Sequence, residues 1–164
     1  MTVVRTNIKS RLSKEMAQPG GIAVGVAVQR AEKALGAMQN QCVEMVDGLL
    51  GELETGYASG SATTVTKDFP NLYRLSSRII DIAFCLPGSQ IEKAAYALCD
   101  LADRGEELGI WDQACIDVHI STLKLLRHGG EALTTAQRLH MVAGLRQATT
   151  RRLGKPAAPG EKTA

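Results

Sequence analysis

Aromatic side chains are scarce: two Phe, three Tyr and one Trp account for 4% of the 164 residues. Strands favour aromatic and β-branched residues, so a 45% apolar fraction filled largely by Ala, Leu, Val and Met excludes a sheet-built core and leaves helices. Long apolar runs are missing too. The longest uncharged one, Gly20 to Val28, is far short of the roughly 20 residues of a membrane span, and no cleavable signal precedes it. The expectation is a cytoplasmic protein with no membrane insertion.

Catalytic and metal-binding patterns are also lacking. Cys42, Cys85, Cys99 and Cys115 form no C-x-x-C pair, and no Cys or His pair has the spacing of a structural zinc site. All four fall at apolar helix positions and read as buried thiols, with no metal and no cofactor. Gly20-Gly21-Ile22-Ala23-Val24-Gly25 has no Gly-Lys-Ser/Thr ending and so is not a phosphate loop, and no Ser or Cys sits in a nucleophile elbow. Glu106-Glu107 and Asp100-Asp103 flank Arg104 near a polar helix end, the composition of a solvated face rather than an acid/base pair. An enzyme is not expected. Nor is nucleic-acid reading, because the basic ends carry no interleaved aromatics and no helix-turn-helix spacing stands out.

What the chain does have is a four-three rhythm. Val24, Val28, Ala31, Leu35, Met38, Cys42, Met45 and Leu49 fall on one stripe of a helix predicted from about Ile22 to Thr55, roughly 50 Å at 1.5 Å per residue. Such a stripe packs lengthwise against other helices. The fold class is therefore all-α, a bundle of about five helices led by one long heptad-patterned helix with its stripe inside. That helix is longer than the others, so its surplus must fold back, cover the bundle end or dimerise. Val28, Leu35, Met38 and Met45 are the candidate partner-binding residues.

The remaining helices follow from their punctuation. One starts near Asp68-Phe69-Pro70, buries Leu72, Leu75, Ile79, Ile82 and Leu86, and stops at Pro87-Gly88. Ser89 to Glu92 reads as a capping box opening a third helix that buries Ile91, Ala94, Ala95, Leu98, Leu101 and Ala102 and ends near Leu108. The fourth runs from about Ile110 to Arg127, with Trp111, Cys115, Val118, Thr122 and Leu125 inward, and stops at Gly129-Gly130. Thr134 to Gln137 is another capping box, starting a fifth helix with Leu139, Val142 and Ala143 inward and an end near Gly154. Residues 1–19 form a basic arm with Ile8, Leu12 and Met16 at helical spacing, residues 20–154 the bundle, and residues 155–164 a disordered tail.

Charge is segregated along the chain: +3 over residues 1–19, +4 over residues 146–164 and −5 between them. Basic ends on an acidic body read as solvated tails, with polyanion binding through the termini as an alternative. His119 lies on the apolar arc of the fourth helix beside Leu123 and Leu126 and reads as structural, hydrogen-bonded to a carboxylate or carbonyl. A histidine on a bundle helix also invites comparison with histidine phosphotransfer modules, in which Lys and Gly follow three and four residues after the His. Thr122 and Leu123 follow His119, and Ala143 and Gly144 follow His140, so only Gly144 matches. Phosphotransfer through His119 or His140, with Lys124 or Arg127 as the cation, is an alternative reading.

Three stretches carry a family likeness: Arg11-Leu12-Ser13 leading to Gln18-Pro19-Gly20-Gly21, then Ala94-Ala95-Tyr96-Ala97-Leu98-Cys99-Asp100-Leu101-Ala102-Asp103-Arg104, and Trp111-Asp112-Gln113-Ala114 leading to Val118-His119. With these, residues 8–128 resemble the small helical proteins called CheE of bacterial chemotaxis clusters. The resemblance implies a cytoplasmic accessory protein of a chemotaxis or two-component pathway that acts by contact on a protein partner, a receiver domain or kinase, and it supplies no catalytic residues.

Overall fold

A computed structural model describes residues 20–60 and 67–154. The arm over residues 1–19 and the tail over residues 155–164 lie outside the described residues. The described part holds five α-helices and no strand, so the chain is an all-α bundle. The helices are α1 (Val24–Tyr57), α2 (Phe69–Ile82), α3 (Ile91–Leu108), α4 (Gln113–His128) and α5 (Thr135–Leu153), with single 3-10 turns at Ala83–Cys85 and Gly130–Ala132. Contacts divide the span into two compact units, one ending at Ala37 and one beginning at Met38. In the first, every described residue from Gly20 to Ala37 is exposed.

The second unit is built on α3, which packs against α2, α4 and α5. Its predicted face is the observed one: Ile91, Ala94, Ala95, Leu98, Leu101 and Ala102 are all buried, joined by Ala97 and Cys99. Alanines on three sides let neighbouring backbones close in, while Ile91 and Leu98 each contribute about 1.5 to 3 kcal/mol by leaving water. Leu72, Leu75 and Ile79 of α2, and Val46, Leu49, Leu50, Leu53 and Tyr57 of α1, complete that side of the core.

Several boundaries differ from the expectation, each for a local reason. Asp68 caps α2, its carboxylate accepting the Asn71 N–H at 3.0 Å, and Pro70 sits in the first turn. The α-helix gives way at Ile82 to a 3-10 turn before Pro87 is reached, and Ile82 and Leu86 are only partly buried. The Ser89–Glu92 capping box does not form. The Ser89 hydroxyl donates to the Leu86 carbonyl at 2.7 Å and accepts from the Ile91 N–H at 3.3 Å, while Gln90 takes the cap position at φ 63°. Asp112 caps α4 by accepting the Cys115 N–H at 3.0 Å, which moves the start past Ile110. Gly129 is right-handed at φ −69°, and the positive φ falls on Gly130. The Thr134–Gln137 capping box is present as expected.

Two inward faces are corrected. On α4 the buried residues are Cys115, Ile116, His119, Ile120, Leu123 and Leu126, whereas Val118 and Leu125 are exposed. On α5, Val142 is buried with Leu145, Thr149 and Leu153, while Leu139 and Ala143 face out. The α1 stripe is corrected most: Val24, Val28, Leu35, Met38 and Met45 are exposed and Leu49 is buried.

One end of the second unit is tied by aromatics. The Trp111 ring stands 4.8 Å from Phe69 and 6.2 Å from Tyr57, centroid to centroid. A Cβ on Gly105 would come within 2.7 Å of the Phe69 ring and 3.0 Å of the Ile110 carbonyl oxygen. That loop cannot yield freely, because the Ile110 N–H is bonded to the Gly105 carbonyl at 2.9 Å. Gly105→Ala is expected to destabilise the fold by about 1 to 2 kcal/mol, the strain of overpacking exceeding the roughly 1 kcal/mol that Ala gains over Gly in a helix. The midpoint of urea unfolding checks this.

Candidate functional site

Several chemistry-bearing side chains are engaged within this framework. His119 is completely buried between α4 and α5. Its Nδ1 lies 2.8 Å from the Cys115 carbonyl oxygen, an acceptor only, so Nδ1–H donates there. Nε2 is then the acceptor of the neutral ring, and the Thr149 hydroxyl stands 3.3 Å away. That hydroxyl also lies 3.2 Å from the Leu145 carbonyl and divides its one proton between the two. Of the two expected kinds of partner, carboxylate or carbonyl, the carbonyl is the one its Nδ1 meets, and the ring is fully enclosed.

Burial drives the His119 pKa below its ordinary value; the Cys115 carbonyl and the Asp100 carboxylate of α3 oppose the shift without cancelling it. His140, on α5, is exposed, with open space at Gly144 one turn on.

The cations near α4 are committed to α1. Lys124 Nζ is 2.5 Å from Glu54 Oε1, and Arg127 Nε is 2.8 Å from Asp47 Oδ1. Asp117 is held from the same direction: Ser59 donates to it through its N–H at 3.0 Å and through its hydroxyl, and the Gln113 amide donates at 2.9 Å. Burial raises the Asp117 pKa, and these donors outweigh it, leaving the carboxyl below its usual range.

Two further arginines serve the backbone. Arg104, buried on α3, bonds Asp100 at 3.2 Å and the Gly154 carbonyl. Arg138 reaches four carbonyls, those of Leu133, Ser89, Leu126 and Gly130. An open groove of about 460 Å³ passes Arg127 and Arg138. Both guanidiniums already have partners, so it offers a ligand no free charge.

The four cysteines are free thiols. Cys99 and Cys115 are buried as expected, whereas Cys42 and Cys85 are half-buried. Burial, with Asp103 nearby, pushes Cys99 up to about 11. The hydrogen-bonded thiol of Cys42, with burial, pushes Cys85 to about 11 as well. Thiols so shifted are poor nucleophiles at neutral pH.

Apolar side chains also face outward in rows. Of the four candidate partner-binding residues, Leu35 is 64% exposed, Met38 51%, Met45 50% and Val28 49%. On α4, Ala114, Val118, Ser121 and Leu125 make a second exposed row with the same four-three spacing. Val118 and Leu125 are expected inward and face out: their heptad spacing is visible in the sequence, but the side it faces is not.

Comparison with protein-family models, with curated proteins and with solved structures finds no match.

The buried imidazole makes stability pH-dependent. His119 is held neutral in the fold while the unfolded chain takes up a proton near pH 6.5, so stability is full above that value. It falls as pH drops toward the lower folded pKa. The expected slope reaches about 1.4 kcal/mol per pH unit for one proton, and His119→Gln flattens it. Urea unfolding across pH 7 to 5, at the order of unit steps, measures both.

Proposed function

We propose that this chain is a non-enzymatic helical adaptor of a bacterial chemotaxis or two-component pathway, working in the cytoplasm by contact between helix faces. The observation that carries the contact mechanism is the exposed α1 row of Val28, Leu35, Met38 and Met45. Apolar side chains at coiled-coil spacing gain their free energy by leaving water, and a helix of a protein partner offers the matching surface. The placement of the reactive groups supports the same reading: His119 is enclosed, and Lys124, Arg127, Arg104 and Arg138 are all bonded internally. The pathway itself rests on the sequence resemblance, and the partner class it points to is a receiver domain or a kinase.

The test is a pull-down of the full chain from bacterial cells, followed by titration of the captured receiver domain or kinase. Affinity is expected to change little between about 50 and 200 mM salt, where a polyanion held by the basic termini loses orders of magnitude. His119→Gln is expected to keep binding, and Leu35→Glu to weaken it at least tenfold. Incubation with a phosphorylated receiver or kinase is expected to leave no acid-labile phosphate on the chain. Label on the exposed His140 overturns the adaptor reading in favour of phosphotransfer, and a steep salt dependence overturns it in favour of polyanion binding.

A further inference from the structure

Two of the four thiols are not enclosed by the core, and the fold sets them against each other. Cys42 lies on α1 and Cys85 ends the 3-10 turn Ala83–Cys85 that follows α2, both within the second unit. Both are half-buried, whereas Cys99 and Cys115 are buried. An oxidant in the solvent can therefore reach the first two and not the second two.

Separate features place these stretches of chain side by side. Gln39, one turn before Cys42, lines the same open groove as Leu86, the residue after Cys85. The pairs of Asp47 with Arg127 and Glu54 with Lys124 hold this part of α1 on α4. The two thiols are in hydrogen-bond contact, with the S–H of Cys85 donating to the Cys42 sulfur. Facing thiols have one reaction that isolated thiols lack, which is closure to a disulfide. The bond requires the sulfurs to close to about 2 Å, and a single 3-10 turn is the element that can shift to allow it.

We propose that Cys42 and Cys85 form a redox pair, closed to an intramolecular disulfide by an oxidant of the peroxide class and reopened by a thiol reductant, which when closed ties α1 to the turn after α2 and stabilises the second unit.

The division of labour follows from the contact. Cys85 keeps its proton, so Cys42 is the sulfur that meets the oxidant. As a thiolate, Cys42 attacks one oxygen of hydrogen peroxide; the O–O bond breaks, the departing hydroxide takes up the proton that Cys42 released, and Cys42 becomes a sulfenic acid. Cys85 then attacks that sulfur. The S–O bond breaks, the hydroxyl leaves with the Cys85 proton as a second water, and the S–S bond forms. The two thiols lose two electrons, and peroxide is reduced to two waters. A thiol that holds its proton is a slow nucleophile in solution, but attack within a held pair is unimolecular and gains accordingly. The closed loop contains the rest of α1, its connection to α2 and all of α2. Cross-links over loops of this length stabilise by restricting the unfolded chain.

The test uses the full chain, reduced, freed of reductant and treated with a small excess of hydrogen peroxide. Trypsin cuts after Lys33, Lys67, Arg78, Lys93, Arg104 and Lys124, so the four cysteines fall on four different peptides. Expected are the loss of two titratable thiols, a mass lower by two hydrogens and one linked peptide joining residues 34–67 to residues 79–93. Dithiothreitol is expected to restore both thiols. The urea midpoint of the oxidised chain is expected to rise, equivalent to roughly a thirtyfold or larger folding constant. Cys42→Ser and Cys85→Ser are each expected to abolish the linked peptide and the rise. Mapping of the wild-type chain needs no variant, so a Ser variant that fails to fold leaves the test intact. Four thiols still titrating after treatment, oxygen added irreversibly to Cys42 without a link, a link between two copies or between another pair, or a linked chain whose urea midpoint does not rise overturns the proposal. Closure needs no partner, so its outcome is separate from that of the adaptor reading.

Discussion

The close approach of three helices to α3 is the constraint on which the second unit depends. Packed helix axes lie about 8 to 10 Å apart, and the shorter separations need small facing side chains. Ala94, Ala95, Ala97 and Ala102 supply such surfaces around α3, while Ile91, Leu98 and Leu101 fill the spaces between. A helix buried over so much of its circumference has little room left for polar groups. The one buried charge it carries, Arg104, is paired with Asp100 and a backbone carbonyl, as a desolvated guanidinium requires.

That constraint explains which parts of the fold were legible in the sequence. The α3 face could be read directly, because one arc is apolar and the opposite arc is Glu92, Tyr96, Asp100, Asp103 and Glu107. α4 could not, because it has two apolar arcs. Periodicity alone gives no preference between Cys115, Val118, Thr122 and Leu125 and the alternative of Ile116, Ile120, Leu123 and Leu126. The choice is made by pairs remote in sequence, Lys124 with Glu54, Arg127 with Asp47 and Asp117 with Ser59, which fix the rotation of α4 against α1. Helix ends obey the same division. Thr134 and Asp68 act through neighbours three residues away and were readable, whereas Ser89 is drawn off by the turn that precedes α3.

For the candidate site, residue identity was legible and accessibility was not. His119 was readable on an apolar arc with a carboxylate or carbonyl partner, yet the Thr149 hydroxyl that meets its ring comes from α5, remote in sequence. The same packing that hides His119 consumes the nearby cations in helix-to-helix pairs. Much of the polar chemistry around α4 is thus spent on holding helices in register.

A four-three stripe states that a helix will be covered along its length, and it carries no information on which chain provides the cover. The energy of burying Leu35 or Met38 is the same against a helix of its own bundle and against one from elsewhere, since the hydrophobic effect depends on area removed from water. Only the flanking positions distinguish the cases, by charge and by size. On α1 the flanks are small or uncharged except for Glu32, and Val24, Val28, Leu35, Met38 and Met45 are exposed, while Cys42 is half-buried and Leu49 buried. The four-three pattern is satisfied by any apolar surface that takes these side chains out of water, and burial of Leu49 at its end shows that part of it is met within the chain.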